Sequence, residues 1–446
     1  MSEHCLKLTT ACVVFGLSAC SGATEVATPA SDDRQPTAEF LALDREQQNL
    51  AVYDAFWHQL LTHYYDPELF ATDEWRARRT QARADAARAQ TRAELYYSSF
   101  PRLLRSFPES HVEVHAPEGG SNRDAPPKSP PVDGETLKRL SSLLFIHGPG
   151  FLPADILRGG TRRNLVAEVW PHSPAAEAGV PPGARLLRSQ GNVDAAAKAV
   201  HYEVDFVPLD AAAARAWERG EQAETPPAPG SIVHARYDLR PFANRKPVEV
   251  RRLEGDIQYL RFNAFGDDEA MKPVYAAIDD APVAGLIIDL RWNSGGFQEQ
   301  LQKFAGALLG TGVPLAEIRI RGDPGRLVTS AYKKTYAGPV VVLAGPASTS
   351  AAEVFAAAVQ DLGRGKVIGR STAGAVLGAQ AFPLPDGGVV TLPVINLWRA
   401  SGKRIEGSGV EPDVWMLPTI EDLRAGHDPV LARALLELTA SSPARH

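Results

Sequence analysis

Two short apolar runs constrain this chain most: "VAGLIIDLR" (283–291) and "PVVVLAG" (339–345). A strand that is apolar on both faces has to be covered on both faces. It belongs in a parallel sheet packed between helices, not in a half-exposed antiparallel one. "IQYLRFNAF" (257–265) reads as a third strand, and "FQEQLQKFAGALLG" (297–310) and "AAEVFAAAVQDLG" (351–363) carry helical apolar spacing. Gly310 and Gly363 stand where helices end. "DGGVVTLPVINLW" (386–398) reads as a strand pair or one bent strand after an Asp-Gly turn. The expectation for 253–420 is therefore an α/β core.

A chain of 446 residues allows about three domains. Residues 46–118 form a helical N-terminal region. In "AVYDAFWHQLLTHYY" (51–65), Val52, Phe56, Leu60 and His63 make one stripe, with Tyr53, Trp57 and Leu61 beside it. The Arg-rich stretch 76–92 reads as a solvated helix face. "SHVEVHA" (110–116) alternates like a strand, and 117–131 is a loop. Residues 136–252 have a β-rich texture, and 421–446 form a C-terminal helix and tail. A net charge of −6 excludes the basic footprint of a nucleic-acid binder.

The three cysteines, Cys5, Cys12 and Cys20, all lie at the start of the chain. Residues 1–19 read as an export signal: Lys7, an apolar run too short to span a bilayer permanently, then small residues. "LSAC" (17–20) resembles a bacterial lipobox, which implies cleavage before Cys20 and lipid on it. Residues 20–45 read as a polar tether. Past Cys20 no cysteine remains for an internal disulfide or a thiolate metal site.

Ser350 opens "SAAE" (350–353), a capping box, and a serine there needs no catalytic role. "LIIDLRWNSGGF" (286–297) ends a buried strand in a glycine turn that can bring main-chain N–H groups to a ligand, or can simply join strand to helix. His111 has three readings: a general base, a metal ligand with Glu113 and His115 on one strand face, or part of a solvated face.

Several segments together resemble the tail-specific, or C-terminal processing, serine protease family. They are "ELYYSSFPRLLRSFPESHVEV" (94–114), "LIIDLRWNSGG" (286–296), "ASTSAAEVFAAAVQDLGRGKVIGRSTAG" (347–374) and "RIEGSGVEPDV" (404–414), in the family's order. "NLVAEVWPHSPAAEAGVPPGARLLRSQG" (164–191) resembles the middle of a PDZ domain, with "PVEVRRLEG" (247–255) as its last strand, "GPGF" (148–151) as a carboxylate-binding loop and 211–230 as an insert. The likeness covers most of residues 46–420. It implies a crotonase- or Clp-protease-like core and makes Ser350 the nucleophile.

One position departs from the family. Where the bacterial processing branch carries a lysine base, this chain has Ala375 in "GRSTAGAVLG" (369–378), and a methyl group accepts no proton. The tricorn-like branch uses a Ser-His-Ser-Glu tetrad instead. That resemblance implies His111 as general base, with Ser110 and Glu406 orienting it. An oxyanion hole is implied from the main-chain N–H of Gly295 or Gly296 and of Ala351.

The expected protein is a lipid-anchored cell-envelope serine endopeptidase acting on peptides or proteins, held to the membrane through Cys20, with no cofactor or metal and with no nucleic-acid partner. Ser21 after the lipidated cysteine resembles outer-membrane sorting, which implies the periplasmic face of the outer membrane. The alternative is an inactive peptide- or apolar-ligand-binding protein of the same fold. The sequence leaves the oligomeric state open.

Overall fold

The computed structural model describes residues 35–117, 149–194, 199–223, 225–240, 246–281 and 284–440. The export segment, Cys20, most of the tether, the loop after 117 and Gly148 lie outside the described residues.

The N-terminal region is built on the helix Arg45–His63. Asp44 accepts from the Gln47 N–H at its start, and Gln47 reaches back to the Asp44 N–H. Its apolar stripe is buried as the spacing requires: Val52, Tyr53, Phe56, Trp57 and Leu60. Leu61, expected beside that stripe, is exposed instead. At about 100° per residue the buried side chains already span about 140° of the helix from Val52 to Trp57, and Leu61 lies about 40° beyond Trp57, past the covered arc. The helix Asp73–Arg88 buries little beyond Trp75 and Ala86 and solvates its arginines, as expected.

The chain then runs through short helical turns, Arg92–Glu94, Leu95–Ser99 and Phe100–Leu104, into strand β1 (Glu113–His115). The expected strand over 110–116 is thus shortened to its last residues. β1 pairs antiparallel with the long bent strand β15 (Val389–Arg399), Val114 opposite Val390. That strand also carries β14 (Gly378–Pro383) and β10 (Pro314–Ile320), and β11 (Asp323–Val328) closes the five-stranded sheet. Leu377, Phe382, Leu384, Val390 and Leu392 from this sheet pack into the aromatic cluster of the N-terminal helices.

The middle unit is an antiparallel sheet in consecutive order: β2 (Phe151–Arg158), β3 (Thr161–Val169), β4 (Arg185–Asp194), β5 (Ala199–Val207) and β6 (Val233–Asp238). Ser173 caps the short helix Pro174–Glu177, and Asp210 caps the helix Ala211–Glu218. The expected last strand of this unit belongs elsewhere. β7 (Val248–Leu253) forms a tight hairpin with β8 (Ile257–Phe262), turning at Gly255 with φ 72°. The alternation in "PVEVRRL" specifies a strand but not its partner, so the boundary at 252 is corrected: the middle sheet ends at Asp238.

The core sheet has six strands. Its order is β16 (Val414–Trp415), β13 (Gly365–Gly369), β12 (Val340–Ala344), β9 (Leu286–Asp289), β8 and β7. All except β7 run parallel. Helices Asp268–Asp279, Gln298–Leu309 and Ala351–Asp361 cover one face, and Pro429–Ala440 covers the other. The two apolar runs are buried on both faces, as their composition requires. Asn263, the Gly295-Gly296 turn, Ser350 and the loop 370–377 follow the carboxyl ends of β8, β9, β12 and β13, where open α/β sheets place ligands.

The middle unit grips that edge. The buried Arg158 guanidinium donates to the carbonyls of Leu157, Glu218, Thr372 and Ala373. Leu157 N–H donates to Ala373 O (2.9 Å) and Gly159 N–H to Gly407 O (3.0 Å). Glu218, from the expected insert, accepts from Arg370 (2.6 Å).

Leu392 is fully buried in the cluster that joins the N-terminal helices to β15. Leu392→Ala should cost about 2–5 kcal/mol by denaturant titration.

Candidate active site

Ser350 stands on a sharp turn between β12 and the helix Ala351–Asp361, with φ 53° and ψ −121°. Positive φ in a residue with a Cβ costs about 1–3 kcal/mol and persists only when its surroundings enforce it. They do. Ser350 N–H donates to Ala375 O (2.8 Å) and to a Glu353 carboxylate oxygen (3.2 Å). Thr349 N–H donates to Asn293 O (3.0 Å). The Ser350 carbonyl accepts from the N–H groups of Glu353 (2.9 Å) and Val354 (3.1 Å), which fixes the first helical turn. Glu353 thus makes its half of the capping box while the Ser350 side chain makes no cap hydrogen bond, and Ser350 sits at a helix N-terminus whose field favours developing negative charge.

Glu353 does more than reach back to Ser350. Fully buried, it also accepts from Thr372 Oγ1 and from the main-chain N–H groups of Gly374 (2.7 Å) and Ala375 (2.9 Å). Ala375, where the family's lysine would stand, thus meets the Ser350 turn through its main chain. Burial pushes the Glu353 carboxyl up to about 7, opposed by these hydrogen bonds and reinforced by Glu406.

His111 arrives from the N-terminal region. It is a second non-glycine residue at positive φ, 66°. Its ring is half-buried, and Nδ1 hydrogen-bonds the Ser110 hydroxyl, which leaves Nε2 as the other polar ring atom. Desolvation lowers its pKa, with Glu406 and Glu113 pulling the other way, so the neutral ring is favoured near pH 7. Glu406 is buried and bridges two segments: Oε1 accepts from Ser110 N–H (2.8 Å) and Oε2 from Val376 N–H (2.7 Å). Sequence left the order of these bonds open. In the structure the carboxylate meets the main chain of Ser110, and the Ser110 hydroxyl meets the imidazole.

His111 and Ser350 line one cavity of about 50 Å³, together with Gly296, Ala351 and a mainly apolar wall that includes Leu301, Leu327, Val354, Leu377 and Leu397. Gly295 and Gly296 now separate. The Gly295 N–H donates to Asn293 Oδ1 (2.9 Å), whereas Gly296 faces the cavity. Neither position admits a side chain. A Cβ on Gly295 would lie 2.5 Å from Ser350 Cβ, and one on Gly296 would lie 2.2 Å from Phe265 O.

The metal reading of His111, Glu113 and His115 is not assembled. His111 precedes β1 in a left-handed turn, so it does not share the strand's alternation, and the exposed His115 pairs with Glu113 at 3.1 Å. Sequence reasoning missed Glu353 as a hub, and also Asn293, Glu109 and Arg158. For Glu353 the signal was present in S-x-x-E but was read only as a cap.

Glu353 gives a pH signature. Its folded pKa lies above the unfolded carboxylate value, so the native state holds the extra proton between about 4.5 and 7. Stability from this group is complete below that window and is lost as pH rises through it. Denaturant midpoints followed against pH should show this fall in the wild type and a flatter line in Glu353→Gln.

Known proteins are similar to parts of this chain. Residues 256–416 fit the profile of Peptidase family S41. A carboxy-terminal-processing protease of Bartonella bacilliformis is 30% identical over 192 residues, 42% of this chain and 44% of that protein. The tricorn protease of Thermoplasma acidophilum is 30% identical over 204 residues, 45% of this chain and 18% of that one. The chain therefore spans less than half the length of either relative. Among solved structures, the photosystem II D1 C-terminal processing protease superposes with a TM-score of 0.54 at 21% identity, covering 83% of this chain and 93% of that one, a likeness of fold. In profile and in core motifs, residues 256–416 are thus similar to Peptidase family S41.

Proposed function

We propose that this protein is a serine endopeptidase of the tricorn-like kind. The observation that carries the reading is one cavity lined by Ser350, His111, Gly296 and Ala351, with His111 held by Ser110 and Ser110 by Glu406. A serine hydroxyl is a weak nucleophile and needs an adjacent base. In this reading Ser350 Oγ attacks the peptide carbonyl and passes its proton to His111 Nε2. The Nδ1–H of the resulting imidazolium donates to the Ser110 hydroxyl. His111 then protonates the leaving amine, and water, deprotonated by the same ring, releases the acyl group.

General acid–base help of this kind supplies ~10²–10⁴-fold. The N–H groups of Gly296 and Ala351 receive the oxyanion, each worth about 2.7–4 kcal/mol of barrier. The cavity is about 50 Å³ and mostly apolar. Its wall of Leu301, Leu327, Val354, Leu377 and Leu397 suits an apolar side chain at the acyl position.

Ala375 at the lysine position keeps a second reading alive: a peptide- or apolar-ligand-binding protein in which Ser350 is only a helix start. Both readings share two finer expectations. The middle sheet acts as a PDZ-like peptide module. The chain is anchored through lipid on Cys20, at the periplasmic face of the outer membrane.

The test is cleavage of a diverse peptide mixture, followed by mass spectrometry. The wild type should cut after apolar residues. Ser350→Ala should lose on the order of 10⁴–10⁶ in rate, with His111→Ala similarly impaired and both folded. Turnover that persists in His111→Ala moves the base elsewhere, and no turnover in the wild type favours the binding protein. For the anchor, cells fed a clickable fatty acid should label the wild type in the membrane fraction, and Cys20→Ser should lose both label and sedimentation.

A further inference from the structure

The turn that presents His111, Pro108-Glu109-Ser110-His111, is held on more sides than the tetrad explains. Glu109 is a carboxylate that the reaction does not use. Its two oxygens accept from the hydroxyls of Tyr64 and Tyr65, each at 2.8 Å. Both tyrosines lie at the end of the helix Arg45–His63, and both are buried. That helix end is itself fixed: Tyr65 N–H donates to Pro393 O of β15 (3.0 Å), and Arg321 donates to Thr62 O (2.6 Å). On the other side, Arg162 of the middle sheet donates to the Glu109 carbonyl (3.2 Å).

We propose that Glu109 is a positioning residue for His111: Tyr64 and Tyr65 clamp its carboxylate, and the clamp fixes the turn that carries the imidazole toward Ser350. The inference rests on the peptidase reading for its catalytic consequence, but the clamp itself does not. Three considerations support it. A left-handed His111 is unfavourable by itself, so something must enforce the turn. The Ser110 N–H bond to Glu406 fixes one point, and two more bonds at the adjacent residue fix its direction. Burial, with Glu109 next, raises both tyrosine pKa values, so the two hydroxyls remain donors across the working pH range. The charged groups facing Glu109 besides these are Glu406 and Arg404, and burial leads the upward shift of its own carboxyl.

The test reads His111 directly. Histidine ring resonances of the full chain are followed against pH, with His111 assigned by its loss in His111→Asn. In Glu109→Leu and in the double variant Tyr64→Phe, Tyr65→Phe, the relaxed turn should expose the half-buried ring further to water. The His111 midpoint should then rise toward its ordinary 6.5. Glu109→Gln, which keeps an oxygen for one tyrosine and an amide for the other, should move it less. Peptide turnover should fall about 10²-fold in kcat with KM unchanged.

An unmoved His111 titration in a folded Glu109→Leu protein overturns the proposal. If that variant does not fold, Tyr65→Phe decides, because it removes one bond and leaves the ring in place. A wild type that neither cleaves peptides nor takes a fluorophosphonate on Ser350 overturns the peptidase reading alone. The titration then still decides whether Glu109 positions His111.

Discussion

The site depends on one buried carboxylate. Glu406 accepts from the main chain of Ser110, 296 residues away, and from that of Val376, in the loop that carries Ala375 against Ser350. A buried carboxylate with main-chain donors on both oxygens makes charge-assisted bonds, stronger than neutral ones, and removing either donor leaves an expensive unmet acceptor. Glu406 therefore enforces a tertiary relation that nothing local could produce. The segment with His111 and the loop behind Ser350 must meet at one point, or both lose a partner. Because the contact closes a loop of nearly three hundred residues, the site belongs to the non-local part of the fold.

Glu353 repeats the device on the core side. Its four donors come from Ser350, Thr372, Gly374 and Ala375, so a single side chain fixes a strained serine to the loop beside it. Ser350 and His111 both sit at positive φ, and each is flanked by a carboxylate that catches main-chain N–H groups nearby. The strain is thus distributed over rigid neighbours, which keeps both side chains directed into one small cavity before any ligand arrives. Arg158 and Arg370 extend the same logic outward by binding the middle sheet to that loop through carbonyls and Glu218. A shift of the middle sheet would pull on Thr372 and Ala373, three or fewer residues from the main chain that holds Ser350.

The parts of this design legible in sequence are those set by local pattern. Apolar runs declared β9 and β12, helical spacing declared the helices on either side, and S-x-x-E located the Ser350 turn. Partners were not legible. "PVEVRRL" alternates as any edge strand does, and only the hairpin at Gly255 shows that it pairs with β8. Leu61 reads as apolar in any register, and whether it is covered depends on the helix's rotation against β15. Alternation in "SHVEVHA" suggested a shared face for His111 and His115, but the left-handed turn at His111 breaks the period before the strand begins. Tyr64, Tyr65 and Glu109 look like ordinary aromatic and acidic residues until the chain folds them together.

The alanine at 375 acquires a physical meaning in this setting. The position contributes its carbonyl to Ser350 and its N–H to Glu353, and both bonds are independent of the side chain. On the peptidase reading, alanine in place of the expected lysine forgoes a base there and leaves the Ser350 turn undisturbed. A base can then be supplied from a different segment, provided that segment is held as firmly as a residue of the core loop would be. The N-terminal region meets that requirement with a strand on β15, two tyrosines on Glu109 and one carboxylate on Ser110. On the peptidase reading, nucleophile and base lie on parts of the fold that come together only in the completed tertiary structure. On that reading, a chain caught before that docking would hold Ser350 without His111 as its proton acceptor, and hydrolysis would wait for the tertiary contacts that bring the two together.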